Sequence, residues 1–125
     1  MKSGFTYIMT NKHHNVLYVG CTVDLVKRVS QHKRHFYKGA FTDHYNCEYC
    51  VYFEEFSDYN SSIKRENQMK NMKREKKIAL INERNPEWKE LVTEKGFCEK
   101  TELWSEKVKS VLEEIKKNKN SSTNT

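Results

Sequence analysis

The sequence is short of what a membrane-spanning or exported chain needs. None of its 125 residues belong to an apolar run approaching the ~20 residues that cross a bilayer. The opening M-K-S-G-F-T-Y-I lacks the long apolar stretch of a secretory leader, so the expected location is the cytoplasm. There the four cysteines should be reduced thiols. Two catalytic signatures are missing as well. No G-x-x-x-x-G-K-[ST] loop is present to cradle a nucleotide, and no serine–histidine–acid set accompanies a nucleophile elbow. Nucleotide hydrolysis and acyl transfer therefore have little support. No internal repeat is visible.

Acid is scarce at one end. The net charge is +6, and residues 1–38 account for all of it. They hold Lys2, Lys12, Lys27, Arg28, Lys33, Arg34 and Lys38 against the single acid Asp24, whereas the remainder balances. His13, His14, His32 and His35 lie in the same third. A concentrated positive region is the footprint of a polyphosphate partner, although many solvated helices are also basic. With 36% hydrophobic and 32% charged residues, the chain is expected to form one soluble globular domain with a modest core.

Two strands open the chain, at 5–10 and 16–20, joined by the polar turn Asn11-Lys12-His13-His14-Asn15. Pairing Thr10 with Asn15 would set Tyr7 directly opposite Tyr18, and a one-residue shift would separate their faces. The register stays open on sequence grounds. Gly20 ends the second strand, Thr22 is the expected N-cap, and Asp24 falls in the first turn of the helix that follows. Leu25, Val29, His32 and Phe36 make its apolar stripe, with a stop near Gly39. Arg28 stands about 60° from the stripe's centre, as either a snorkelling cation or an anion-binding group. Residues 41–46 look like loop, and 48–56 like a third strand buried on both faces.

Ser57 or Asp58 should cap a second helix that puts Tyr59, Ile63, Glu66 and Lys70 on one side. Glu66 is the oddity there, and an ion pair with Lys70 is its ordinary explanation. Asn71 could cap a new helix, led by the basic run 73–77 and ended before Pro86. Trp88 and Leu91 should pack back on the domain. Lys95-Gly96 reads as a boundary, giving a domain over 1–96 and a C-terminal part over 97–125. That part holds an amphipathic helix at 101–117, with Trp104, Val108, Val111 and Ile115 on one stripe, and a polar disordered tail. The helix most simply packs on the domain, and a protein partner or self-association is the weaker alternative. Cys47 and Cys50, with His44 and either Cys21 or Cys98, offer zinc a ligand set, but no second close cysteine pair supports it.

What remains is Tyr7, Tyr18, Arg28, His32 and Glu66. Their order resembles that of the GIY-YIG nuclease superfamily. Phe5-Thr6-Tyr7 stands for the first triplet, with Phe and Thr in place of Gly and Ile, and Tyr18-Val19-Gly20 stands for the second. Residues 24–32, Phe41-Thr42-Asp43-His44-Tyr45, 51–56, 65–70 and 76–81 are similar to the small stand-alone bacterial members. The resemblance covers roughly residues 5–91 and implies an α+β fold, a small three-stranded antiparallel sheet flanked by helices. It implies a DNA endonuclease, of the kind used in repair or recombination, with Tyr18 as base, Tyr7 orienting the water and His32 either relay or core.

A lone carboxylate suits one Mg²⁺ (or Mn²⁺) at Glu66, and Arg28 can grip phosphate oxygens bidentately where Lys27 cannot. Lys12, Lys27, Lys33, Arg34, Lys70, Lys73 and Arg74 are the expected phosphate contacts. The expected partner is DNA, with RNA left open by the sequence, and no membrane is expected. The alternative is a module on the same fold that binds nucleic acid without cutting it.

Overall fold

The computed structural model describes residues 3–36 and 38–98. Strands β1 (Gly4–Thr10) and β2 (Leu17–Thr22) form the hairpin, followed by helix α1 (Leu25–Lys33) and the single turn α2 (Phe41–His44). Strand β3 (Tyr49–Phe56), helices α3 (Tyr59–Lys70) and α4 (Arg74–Arg84), and the short strands β4 (Val92–Thr93) and β5 (Gly96–Phe97) complete the described chain. The class is α+β as expected, but the antiparallel sheet has five strands, ordered β2-β1-β3-β4-β5. Among the described residues no helix is long and apolar enough to cross a membrane.

The pairing of β1 with β3 slips between Ile8 and Met9, so Ile8 faces Tyr52 and Met9 faces Cys50. Val51 is the extra residue of this bulge, and its effect is to turn two consecutive side chains, Val51 and Tyr52, into one core layer. One face of the sheet buries Tyr7, Met9, Cys50 and Phe53 under Leu25 and Val29 of α1. The other face buries Ile8, Val19, Val51 and Tyr52 under Met69 of α3 and Ile81 of α4. Both faces of β3 are covered, as its unbroken apolar middle suggested.

Several local expectations change. The hairpin register pairs Thr10 with Leu17 and Tyr7 with Gly20, a shift of two residues from the pairing considered above. A shift of two keeps the faces, so Tyr7 and Tyr18 remain neighbours, with ring centroids 6.3 Å apart. The N-cap of α1 is Asp24, which accepts from the Lys27 amide, and Thr22 instead accepts from the Asp24 amide.

Helix α1 stops at Lys33, before Phe36 can join the stripe. His35 takes a left-handed φ of 54°, its amide donates to His32 and that of Phe36 to Gln31. That pair of bonds is a Schellman stop, and it leaves Phe36 65% exposed. Residues 41–44 are helical rather than loop. Asn71 closes α3, while Lys73 occupies the N-cap of α4. Asp58 caps α3, and Asn85 ends α4 while donating to Val51 across the core.

The boundary placed at Lys95-Gly96 falls inside the sheet. Residues 94–95 turn β4 into β5, and Phe97 packs against both Phe53 and Phe5 at centroid distances of 5.4 and 6.2 Å. The helix at 101–117 and the tail lie outside the described residues.

Candidate active site at the edge of the sheet

β2 is one of the two edge strands, and the candidate residues gather where the two faces of the sheet meet beside it. Tyr18 comes from β2 itself, Arg28 from α1 on one face, and Glu66 from α3 on the other. Lys70, Glu66 and Arg28 each lie close enough to Tyr18 to act on its phenol electrostatically. Glu66 also meets the Cys21 thiol, and Lys70 Nζ lies 3.5 Å from its carboxylate. Arg28 lines an open groove of about 270 Å³ with Lys27, Gln31 and Thr22.

Gly20 makes the first half of this arrangement possible. A Cβ at position 20 would lie 2.6 Å from the Tyr7 hydroxyl oxygen and 3.1 Å from a ring carbon of Tyr18. The glycine is therefore the floor on which the Tyr7 ring lies. Tyr7 is fully buried, and its hydroxyl is hydrogen-bonded to His32 Nε2 at 3.0 Å. Thr42 Oγ1 engages the other ring nitrogen of His32 at 3.2 Å. Burial, then Tyr18, push the Tyr7 phenol far up, against an opposing pull from Arg28, which also hydrogen-bonds it. A buried, neutral phenol held this way does not face solvent, which does not fit the water-orienting role expected of Tyr7.

His32 settles in the core as well, 4% exposed. Burial first, then Arg28, lower its pKa from 6.5 to about 4, so the ring is neutral near pH 7. A histidine with a depressed folded pKa binds its proton more readily when unfolded. Its contribution to stability is therefore complete above pH 6.5 and is lost as pH falls toward 4. His35 is shifted the other way by Glu48 and Asp43, so its effect lies above pH 6.5. Asp43 and Asp58 are lowered from 3.8 and act below this window. Thermal melting followed by circular dichroism should show the midpoint falling between pH 6.5 and 4. His32→Gln should flatten that slope, and an unchanged slope in the variant would place the effect elsewhere.

Tyr18 is half-buried, and burial raises its phenol, with Glu66 adding to the rise and Lys70 and Arg28 opposing it. Three further side chains, none of them among the expected catalytic residues, belong to this edge. The Cys21 thiol follows Gly20 and meets the Tyr59 hydroxyl at 3.7 Å, and Tyr59 in turn feels Arg28 and Glu66. Thr42 is the third addition, through its bond to His32. The helical spacing of α3 puts Tyr59 on the same side as Glu66, and that is its signal in the sequence. The sequence offers Cys21 only as a possible zinc ligand, and no local signal gives Thr42 its bond to His32.

The basic residues divide. Lys27 stands exposed beside Arg28, and Lys12 and Lys73 are exposed on the hairpin turn and at the start of α4. Lys33 is instead tied to Glu90 and lies 5.0 Å from the centre of the Tyr49 ring, and Arg34 pairs with Glu94 at 3.6 Å. These two are compensated by acids of the β4 region, so their charge is partly spent before any phosphate arrives. Arg74 donates to the Asn15 carbonyl at 2.7 Å and ties α4 to the hairpin turn.

The structure does not bring the zinc ligand set together. Cys47 and Cys50 are core residues, their thiols pushed up to about 11 and about 12 by desolvation, and His44 is exposed on α2. Among the described residues no group of three or more His, Cys, Asp or Glu could hold a metal ion.

The departures in the first triplet are absorbed by packing. Thr6 donates to the Ser62 carbonyl at 2.8 Å and fastens β1 to α3, while Phe5 joins Phe53 and Phe97.

Comparison with known proteins gives two findings. A family model described as the GIY-YIG catalytic domain matches residues 3–79. A UPF0213 protein of Syntrophus aciditrophicus (strain SB) is 32% identical over 87 residues, which is 70% of this chain and 98% of that protein. No solved structure matches. Because the match runs through every element that contributes to the β2 edge, and the relative aligns over almost its whole length, the chain belongs to the GIY-YIG family of nuclease-type catalytic domains.

Proposed function

We propose that the domain is a metal-dependent endonuclease that hydrolyses phosphodiester bonds in DNA with a single Mg²⁺ (or Mn²⁺) at Glu66. The observation that carries this reading is the meeting of Tyr18, Arg28 and Glu66, from three separate elements, at one sheet edge. The donor set fits such a cation. Glu66 offers hard carboxylate oxygens at a half-buried position, and Mg²⁺ commonly takes one or two carboxylates and completes its shell with water and substrate phosphate. A second carboxylate for a two-metal clamp is not part of this cluster.

When bound, the cation would supply Lewis-acid polarisation of the phosphoryl group and stabilisation of the leaving oxygen. Arg28 grips the non-bridging oxygens with its planar fork and holds the phosphate against β2. Tyr18 presents its hydroxyl to the attacking water, and Lys70 and Arg28 favour the form of the phenol that can accept the proton. Tyr7 and His32 act behind Tyr18 and position it, since the His32 ring packs edge-on against Tyr18 at 5.5 Å. Lys12, Lys27 and Lys73 supply further phosphate contacts.

Purified full-length protein is incubated with supercoiled plasmid in Mg²⁺ and in chelator, beside Glu66→Ala. Nicking that needs the cation and vanishes in the variant is the expected result. Equal nicking by both proteins would identify a contaminant and end this reading. The ion pair that Lys70 makes with Glu66 favours a second reading, a domain that binds nucleic acid without cutting it. Salt-sensitive binding retained in Glu66→Ala, with no cleavage by the wild type over a range of metals, would establish that reading instead.

A further inference from the structure

The site does not end at Tyr18. A line of rings continues from it along α2, and most of that line is exposed. Phe41 stacks on Tyr18 with centroids 6.2 Å apart and planes 27° from parallel. Tyr45 follows Phe41 at 4.7 Å, and His44 meets Tyr45 edge-on at 4.7 Å. Phe41 and Tyr45 are four residues apart on one helical turn, so both rings leave the helix on the same side. They are 47% and 44% exposed, while the helix buries only Thr42.

A turn built for packing would bury its aromatics. This one buries its threonine against His32 and shows its rings to solvent.

The ladder ends in a groove of about 320 Å³, within the usual ~300–1,000 Å³ of ligand clefts. Lys12 and His13 of the hairpin turn line it with Tyr45, Asn46 and Tyr49. Glu48 also lines it, but its carboxylate is held by His35 Nε2 at 2.6 Å. Exposed rings interleaved with cations are the arrangement that binds unpaired nucleotides. The π-faces take bases without regard to sequence, and the cations follow the backbone. Paired bases offer no face to such a platform, because the duplex stack already covers them.

We propose that Phe41 and Tyr45 form a stacking platform for unpaired bases next to the phosphate held at Arg28. The preferred substrate is then a single-stranded or locally unpaired segment of nucleic acid running from Tyr18 toward Lys12. The inference deepens the nuclease reading by naming its substrate class, and its test measures binding without cleavage.

Full-length protein in chelator is titrated by fluorescence anisotropy into three labelled 20-mers: a thymidine single strand, a duplex, and a strand of abasic residues that keeps the phosphates. The single strand should bind tightest, and loss of its bases should weaken binding about tenfold. Phe41→Ala and Tyr45→Ala should each weaken the single strand ~5- to 10-fold, with the salt dependence of binding unchanged and Phe41→Trp restoring affinity. Lys12→Ala should instead flatten the salt dependence.

Equal binding of normal and abasic strands would overturn the platform, as would affinities within twofold of wild type in both alanine variants. A change in solution mass in either variant, measured by light scattering, would assign the rings to a protein contact and also overturn it. Loss of plasmid nicking in Glu66→Ala with single-strand preference intact leaves both readings standing. Absence of nicking in the wild type with that preference intact removes the nuclease alone.

Discussion

Arg28→Lys should lower the rate of plasmid cleavage by about 10²–10³-fold while leaving the fold and the net charge as they are. Removing one well-aimed donor from a developing phosphoryl charge costs that much in comparable sites. The lysine keeps the positive charge but loses the planar fork that meets two phosphate oxygens at once. It also loses the hydrogen bond that the guanidinium makes to the Tyr7 hydroxyl. Cleavage time courses at saturating DNA, paired with anisotropy in chelator, separate the two contributions. The expected pattern is a collapsed rate with affinity within a few-fold of wild type. Cutting at the wild-type rate would show that any cation at position 28 suffices, and bidentate recognition would have to be abandoned.

Gly20→Ala should destabilise the domain by about 1–3 kcal/mol, the usual cost of forcing a methyl into a filled core. The new Cβ would lie 2.6 Å from the Tyr7 hydroxyl oxygen and 2.7 Å from the ring carbon that bears it. The ring cannot retreat easily, because Tyr7 is fully buried and its hydroxyl is held by His32. Backbone conformation is not the cause here, since Gly20 has an ordinary negative φ and the clash is with a side chain. Urea denaturation measures the loss. Tyr7→Phe in the same background should recover part of it by removing the oxygen. A midpoint equal to wild type for Gly20→Ala would mean that the ring shifts freely and that the glycine has some other use.

Much of the fold was legible because its elements carry strong local signals. The apolar middle of β3, the Asp58 cap and the break before α4 each depend on a few neighbouring residues. What failed depended on distant partners. β4 and β5 have two residues each, too few to show a period, and Phe97 earns its place only from Phe5 and Phe53. Gly39 looked like the natural helix stop, yet His35 accepts a left-handed φ because Asp43 and Glu48 hold its ring at 2.8 and 2.6 Å. That earlier stop moved Phe36 from the core to the surface.

The site was legible as a set of residue types in order, and the structure brings Tyr18, Arg28 and Glu66 together. Tyr7 and His32 were harder, because spacing places a residue on a face without saying how deep it sits. The basic list suffered for a similar reason: the acids that compensate Lys33 and Arg34 come from Glu90 and Glu94, more than fifty residues away in sequence.

A strand at the rim of a sheet is hydrogen-bonded to its neighbour along one side only, so it opens more readily than the strands inside. β2 is such a strand, six residues long, and it carries Tyr18 and the Gly20 floor. Fraying there would scatter the reactive groups and lift Val19 out of its layer, while β1 and β3 stay zipped. Activity in this protein is thus insured less well than the fold is. Heat or mild denaturant should lower the proposed cleavage before the main spectroscopic melting.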